Sequence, residues 1–288
     1  MTIWQHFLTL WRRDGSASMS WMAQDEAVLQ YKHPPLENEN AHRFRLTQLQ
    51  HRRQEVSSII DLFTDKHNEL AENLFKGTSG REAALREDLI RDAIVELRNR
   101  LNHDEIIMAG HSFGAATGIY SAQKDDRIKA ILSFDPWLYP LPHDFTLNNN
   151  MKRAMPIISI NSETFHWPGN KETLKAVLEN NHELCKSNRQ MMMCPSMQIT
   201  VRGAGHMDQS DFCVVVPSWI LDRYRPRLAM EDPTAILQIN TSLAKAFVDG
   251  VIGRQIDELG PYEKLLWDKN AAWNEHKEIR ADVWLVDV

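Results

Sequence analysis

Glu105-Ile-Ile-Met-Ala-Gly110-His-Ser-Phe-Gly-Ala-Ala116 is the stretch whose reading decides the fold. Glu105 to Ala109 is a short apolar run, with Asn102-His-Asp104 before it and Gly110 after it, and reads as a buried strand. Residues 114–123, rich in small side chains such as Ala115, Ala116 and Gly118, read as a helix. Between them stands Gly110-His-Ser112-Phe-Gly114, a G-x-S-x-G turn that exposes a serine between strand and helix. The backbone of such a turn is sharp, so the positions two residues away are expected to need glycine. The helix that follows points its free N–H groups toward the serine and favours negative charge there. The bare pattern recurs by chance in roughly one chain in ten of this length. The strand before it and the helix after it make Ser112 the candidate nucleophile, against a Gly-Ser turn without chemistry. His111 at this turn is expected to point away from the serine and to pack or orient.

Working outward, Ile128 to Phe134, Met155 to Ile160 and Met197 to Val201 read as three further strands, with helical stretches such as 170–180 between them. This β-α-β alternation predicts an α/β fold with a mostly parallel sheet and helices on both faces. Upstream, Leu46, Leu49, Val56, Ile59, Ile60 and Phe63 recur at helical spacing. A second amphipathic helix has Leu85, Leu89, Ile90, Ala93, Ile94, Leu97 and Leu101 on one face. Residues 5–12 are a weak strand candidate, Arg13 to Ser16 a turn, His33 to Glu39 a loop and 240–249 a helix. The tail from Pro261, with Trp267, Trp273 and Trp284, has no interpretable motif.

A serine nucleophile needs a base and an acid, and these follow it along the chain as acid then histidine in folds of this kind. Asp135 ends the strand after the nucleophile helix, where its carboxylate can fix an imidazole tautomer. The same position suits a turn aspartate before Pro136. Asp125 and Asp126 sit at a helix end and suit solvent. Arg202-Gly-Ala-Gly-His206 follows a strand through a glycine turn, which makes His206 the candidate base; His166 and His182 are its rivals.

Bulk properties bound the reading. The chain of 288 residues fits one large domain, taken as 1–288. A net charge of −6 gives no electrostatic case for nucleic acid. The three cysteines, Cys185, Cys194 and Cys213, form neither a disulfide framework nor a zinc pattern and are expected to be small buried or partly buried residues. No run has the length of a membrane-spanning helix, and the first residues lack a signal-peptide pattern, so the expected address is cytoplasmic.

Five ordered blocks carry a resemblance: Arg13-Asp-Gly-Ser-Ala-Ser18, Gly110 to Ala115, Phe134-Asp-Pro-Trp-Leu-Tyr-Pro-Leu141, Ile160-Asn-Ser-Glu163 with Phe165, and Arg202 to His206 with Asp211-Phe212. Together they resemble the platelet-activating-factor acetylhydrolases, plasma and intracellular type II. The resemblance implies an α/β-hydrolase fold and calcium-independent hydrolysis of the sn-2 ester of phospholipids with short or oxidised acyl chains. It implies Ser112 as nucleophile, Asp135 as acid and His206 as base, with no metal and no organic cofactor. It implies the Phe113 N–H as one oxyanion donor. Trp137 is a candidate pocket wall, and equally a core or surface tryptophan. The expected partner is a phospholipid at a membrane or lipoprotein surface; the oligomeric state stays open. Family members carry a longer segment ahead of the Arg-Asp-Gly-Ser block, with the first strands and a second oxyanion donor, so this chain is expected to lack N-terminal strands. Two alternatives follow: a catalytically inactive lipid- or partner-binding form, and a general carboxylesterase.

Overall fold

The computed structural model describes residues 39–64, 81–142, 145, 154–165, 168–187, 194–217, 219, 232–253, 266, 278–280 and 283–286. The expected strand at 5–12 and turn at 13–16 lie outside the described residues, as does nearly all of the loop at 33–39. Helix α1 (Glu39–Thr64) and helix α2 (Arg81–Arg100) precede strand β1 (Ile106–His111), helix α3 (Phe113–Ala122) and strand β2 (Ile128–Phe134). Strand β3 (Ile157–Ser162), helix α4 (Pro168–Ser187) and strand β4 (Ser196–Val201) follow. A 3₁₀ turn (His206–Gln209), the short helix α5 (Phe212–Val215), helix α6 (Pro233–Val251) and strands β5 (Glu278–Arg280) and β6 (Val283–Val286) complete the order.

The sheet runs β1-β2-β3-β4-β6-β5. The first four strands are mutually parallel, and β6 pairs antiparallel with β4 and with β5. Helices cover both faces of the sheet, which explains the unbroken apolar runs of its strands. On one face Ile131 and Ile157 pack with Leu49 and Ile60 of α1, Ile119 of α3 and Leu178 of α4. On the other, Ala130, Leu132, Ile158, Ile160 and Ile199 pack with Ile236, Leu243 and Phe247 of α6. This is the mostly parallel, doubly covered arrangement of an α/β-hydrolase fold. Among the described residues β1 is paired on one side only. No described helix is long and apolar enough to cross a membrane.

Several expectations need correction. The uninterpreted tail contributes β6, in which Trp284 is registered with Thr200 of β4; a four-residue strand has too little periodicity to read. Cys185 and Cys194 are joined in a disulfide, and only Cys213 is a free cysteine among the described residues. The sequence separation of nine concealed that the end of α4 and the approach to β4 meet there. Helix α6 starts seven residues earlier than expected. Its signal was present: Asp232 accepts from the Thr234 N–H, and Pro233 occupies the first turn, where a missing N–H costs nothing. In α2, Ile94 is buried, but Leu89 and Leu97, and Leu101 just past its end, are exposed, so the apolar stripe is only partly used. In α1, Leu49 and Ile60 are buried as expected, whereas Ile59 is exposed and the polar His42, Arg45 and Gln48 are buried.

The polar residues at the α3–β2 turn tie it to α1. Arg127 donates to Asp125 (2.6 and 2.8 Å) and to Asp61 (2.5 Å), and Ser57 donates to Asp125 (3.0 Å). Asp125 is therefore buried and paired, not solvated as expected from sequence. The Arg127 hydrogen bonds hold its carboxyl at about 2, below the ordinary 3.8, and outweigh the opposing effect of burial. A depressed carboxyl contributes stability that is present above its unfolded value and lost as pH falls through the folded one. The prediction is that Asp125→Asn lowers stability by about 1–2 kcal/mol at pH 7, and that this difference from the parent chain shrinks between pH 4 and pH 2. Urea unfolding across that pH range checks it.

Candidate active site

Strand β1 ends at His111, and Ser112 turns the chain into α3 with φ 57° and ψ −120°. A non-glycine residue at positive φ costs energy, and the surroundings must over-determine it. They do so here. The Ser112 N–H donates to the Phe134 carbonyl (2.9 Å), and the Ser112 carbonyl accepts from Ala115 (3.1 Å) and Trp137 (3.1 Å). Gly110 is forced by the same turn: a Cβ there would lie 2.5 Å from the backbone of Gly114. Gly114 itself has open space around a Cβ position. Clearance is thus a constraint on Gly110 alone, and the expected need at Gly114 is corrected. Phe113, buried, opens α3, so its N–H has no carbonyl one turn back to bond.

Asp135 follows β2 and is fully buried. It shares the left-handed backbone region with Ser112, at φ 42°. Its N–H donates to the Ile160 carbonyl (3.1 Å), which holds the turn against β3. The carboxylate accepts from the Ser162 N–H at Oδ1 (2.6 Å) and from the Ser162 hydroxyl at Oδ2 (2.6 Å). His206 Nδ1 lies 3.0 Å from Oδ2. A carboxylate can only accept here, so Nδ1 carries the proton and Nε2 is left as the basic nitrogen. Asp135 is thus not a mere turn aspartate: its carboxylate is aimed inward at an imidazole.

The loop that delivers His206 depends on Gly203, whose φ of 68° puts it in the left-handed region. The Gly203 N–H donates to Glu163 (2.7 Å) and the Gly205 N–H to Asp208 (2.8 Å). The His206 ring lies between two others. Phe165 stacks on it at 3.8 Å and 10°, and His111 approaches at 4.4 Å and 35°. The side chain remains 27% exposed. Of the rivals, His182 lies within α4 and has no bond to Asp135, and His166 lies outside the described residues.

His111 is closer to the candidate chemistry than expected. Its pKa is lowered from 6.5 to about 4, first by burial and then by the neighbouring His206, with Asp135 opposing. It is therefore neutral at physiological pH. Its Nε2 is buried without a hydrogen-bond partner.

The structure brings Asp135 and His206 together and sets His111, the residue before Ser112, against the His206 ring. No hydrogen bond joins the Ser112 hydroxyl to His206. Such bonds are often long until substrate is bound. Trp137 sits beside the turn: its ring meets Phe113 at 5.8 Å and stacks on Tyr139 at 5.8 Å, with the Arg45 guanidinium 5.4 Å from its centre. Ser162 was missed by sequence reading. The expected strand ended at Ile160, yet Asn161 and Ser162 are both buried in β3. The available signal was the Ile160-Asn-Ser-Glu163 block, which the resemblance marked without assigning a role.

Two substitutions test this geometry. Gly110→Ala is expected to cost at least about 2 kcal/mol, because backbone and not a flexible side chain must yield. Ser162→Ala removes one of the hydrogen bonds to a buried carboxylate and is expected to cost about 1–3 kcal/mol. Chemical denaturation measures both, with Gly114→Ala as the tolerated comparison.

A family model for platelet-activating factor acetylhydrolase, isoform II, matches residues 7–261. The platelet-activating factor acetylhydrolase of Bos taurus is 26% identical over 252 residues, covering 85% of this chain and 50% of that protein. That of Canis lupus familiaris is 27% identical, covering 69% and 40%, and that of Gallus gallus 28% identical, covering 53% and 32%. The chain thus spans half or less of the length of these relatives. Among solved structures, a ferulic acid esterase from Streptomyces cinnamoneus is similar, with a TM-score of 0.47 and 15% identity over 84% of this chain and 56% of that one. The match over residues 7–261 places this chain in the platelet-activating factor acetylhydrolase, isoform II, family.

Proposed function

We propose that this chain hydrolyses the sn-2 ester of phospholipids with short or oxidised acyl chains, platelet-activating factor included, without calcium, by a Ser112-His206-Asp135 triad. The observation that carries the reading is the Asp135–His206 pair, 3.0 Å apart at the carboxyl end of the parallel strands, beside a serine held at φ 57°. The family supports phospholipid ester chemistry.

In the proposed mechanism His206 Nε2 takes the Ser112 proton as the hydroxyl attacks the sn-2 carbonyl. Asp135, held by Ser162, keeps the imidazole in the tautomer that leaves Nε2 free and stabilises the imidazolium. The oxyanion rests on the Phe113 N–H; a second donor is not assigned among the described residues. The imidazolium then protonates the departing lyso-phospholipid. Water, deprotonated by Nε2, attacks the acyl-serine and releases the acid. No step uses a metal or an organic cofactor. Phe165 and His111, on the two sides of the imidazole, restrict its rotation through the cycle.

The experiment is fluorophosphonate labelling of the folded chain, together with release of acetate from a 2-acetyl phospholipid. Ser112 is expected to be the labelled residue, and Ser112→Ala is expected to abolish turnover. Asp135→Asn is expected to lower kcat by about 10⁴, as a lost tautomer does in related triads. Phospholipid binding unaffected by Ser112→Ala, with no labelling and no turnover, would show the inactive lipid-binding alternative. A preference for simple aryl esters over the phospholipid would show the general carboxylesterase.

A further inference from the structure

We propose that His111, Asp135 and His206 together form a binding site for a borderline divalent cation of the zinc type, and that occupation of this site switches the imidazole base off. The inhibitory consequence rests on the triad reading above; the binding itself does not.

Two imidazoles and a carboxylate are a donor set that suits zinc and its neighbours, whereas calcium and magnesium favour oxygen alone. The three ligand atoms lie within 4.8 Å of one another, and His206 Nδ1 and Asp135 Oδ2 are already 3.0 Å apart. Tetrahedral zinc with bonds of about 2.1 Å places its ligands about 3.4 Å apart, so the change required is a small movement of side chains. The His111 Nε2, buried and without a partner, is the second observation. A buried polar nitrogen left unsatisfied is costly, and a metal bond removes the cost. Asp135 cannot swing away, because Ser162 holds both of its oxygens; a hydrogen-bonded ligating carboxylate of this kind is what orients a metal site. Among the described residues, this is the cluster of histidine and carboxylate atoms close enough to share an ion.

Binding changes the proton inventory in one respect. His206 now carries its proton on Nδ1, shared with Asp135. A metal bonded to Nδ1 requires the other neutral tautomer, with the proton on Nε2. The imidazole gains and loses no proton overall. Its Nε2 becomes a donor and can no longer accept the proton of Ser112. The fourth metal position is left to water.

The test uses the full chain and zinc as the probe, with affinity read by competition against a chromogenic chelator at pH 7. The expected result is one saturable equivalent that calcium and magnesium do not displace. It should weaken by about tenfold or more in His111→Phe and in His206→Phe and be retained in Ser112→Ala. Cobalt(II) in the unmodified chain supplies a second readout that needs no variant: a visible spectrum of a nitrogen and oxygen site without a thiolate charge-transfer band. Absence of a saturable equivalent, undiminished binding in a folded His111→Phe chain, or a thiolate band would overturn the proposal. Zinc binding without loss of ester turnover would leave the site and remove its inhibitory role. If the chain has no esterase activity at all, the chelator and cobalt measurements still decide whether the site exists.

Discussion

A carboxylate with no solvent exposure sits at the end of β2, and the organisation of the site depends on how it is tolerated. Asp135 loses its hydration entirely. An unpaired buried charge costs several kcal/mol, so its oxygens must be matched by donors. Ser162 supplies two, from its N–H and hydroxyl, and His206 supplies the third. The two residues come from different parts of the chain, and each is thereby positioned. The pairing that makes the aspartate tolerable also orients the imidazole.

The parallel sheet makes this convergence possible. β1, β2, β3 and β4 run in one direction, so the segments that follow them emerge on the same edge. Ser112 follows β1, Asp135 follows β2, Ser162 ends β3, and His206 follows β4 by a short glycine loop. The two strained residues, Ser112 and Asp135, sit in neighbouring turns, and the hydrogen bonds from Ser112 to Phe134 and from Trp137 to Ser112 bind those turns together. Strain in the backbone is offset by the sheet and core beneath it, where Ile131, Ile157, Ile158 and Ile160 are almost wholly buried.

Much of this was legible in the chain. Strand β2 was read with its true limits, because an apolar run bounded by Asp and Pro has little freedom of interpretation. The turn at 110–114 was legible because its glycine requirement is steric and local. His206 stood out through a glycine approach after a strand. The parts that escaped depend on contacts remote in sequence. Ser162 lay beyond the strand as read, which ended at Ile160, and only the extension of β3 brings it to the Asp135 carboxylate. His111 was read as pointing away, and only the packing of the 202–206 loop brings the two imidazoles within 4.4 Å. Asp125 looked solvated until α1 supplied Ser57 and placed Asp61 on its partner Arg127.

By itself, the order of residues determined the α/β alternation, the serine turn and the chemical types available to act with it. Those features follow from periodicity and from steric limits that operate within a few residues. The tertiary structure decided which oxygen meets which nitrogen: that Asp135 bonds His206, that Ser162 secures Asp135, and that Cys185 meets Cys194. These are distances between atoms that are not neighbours in the chain, separated by from nine to 71 residues. They are set by how helices pack on both faces of a sheet, and no local pattern encodes them.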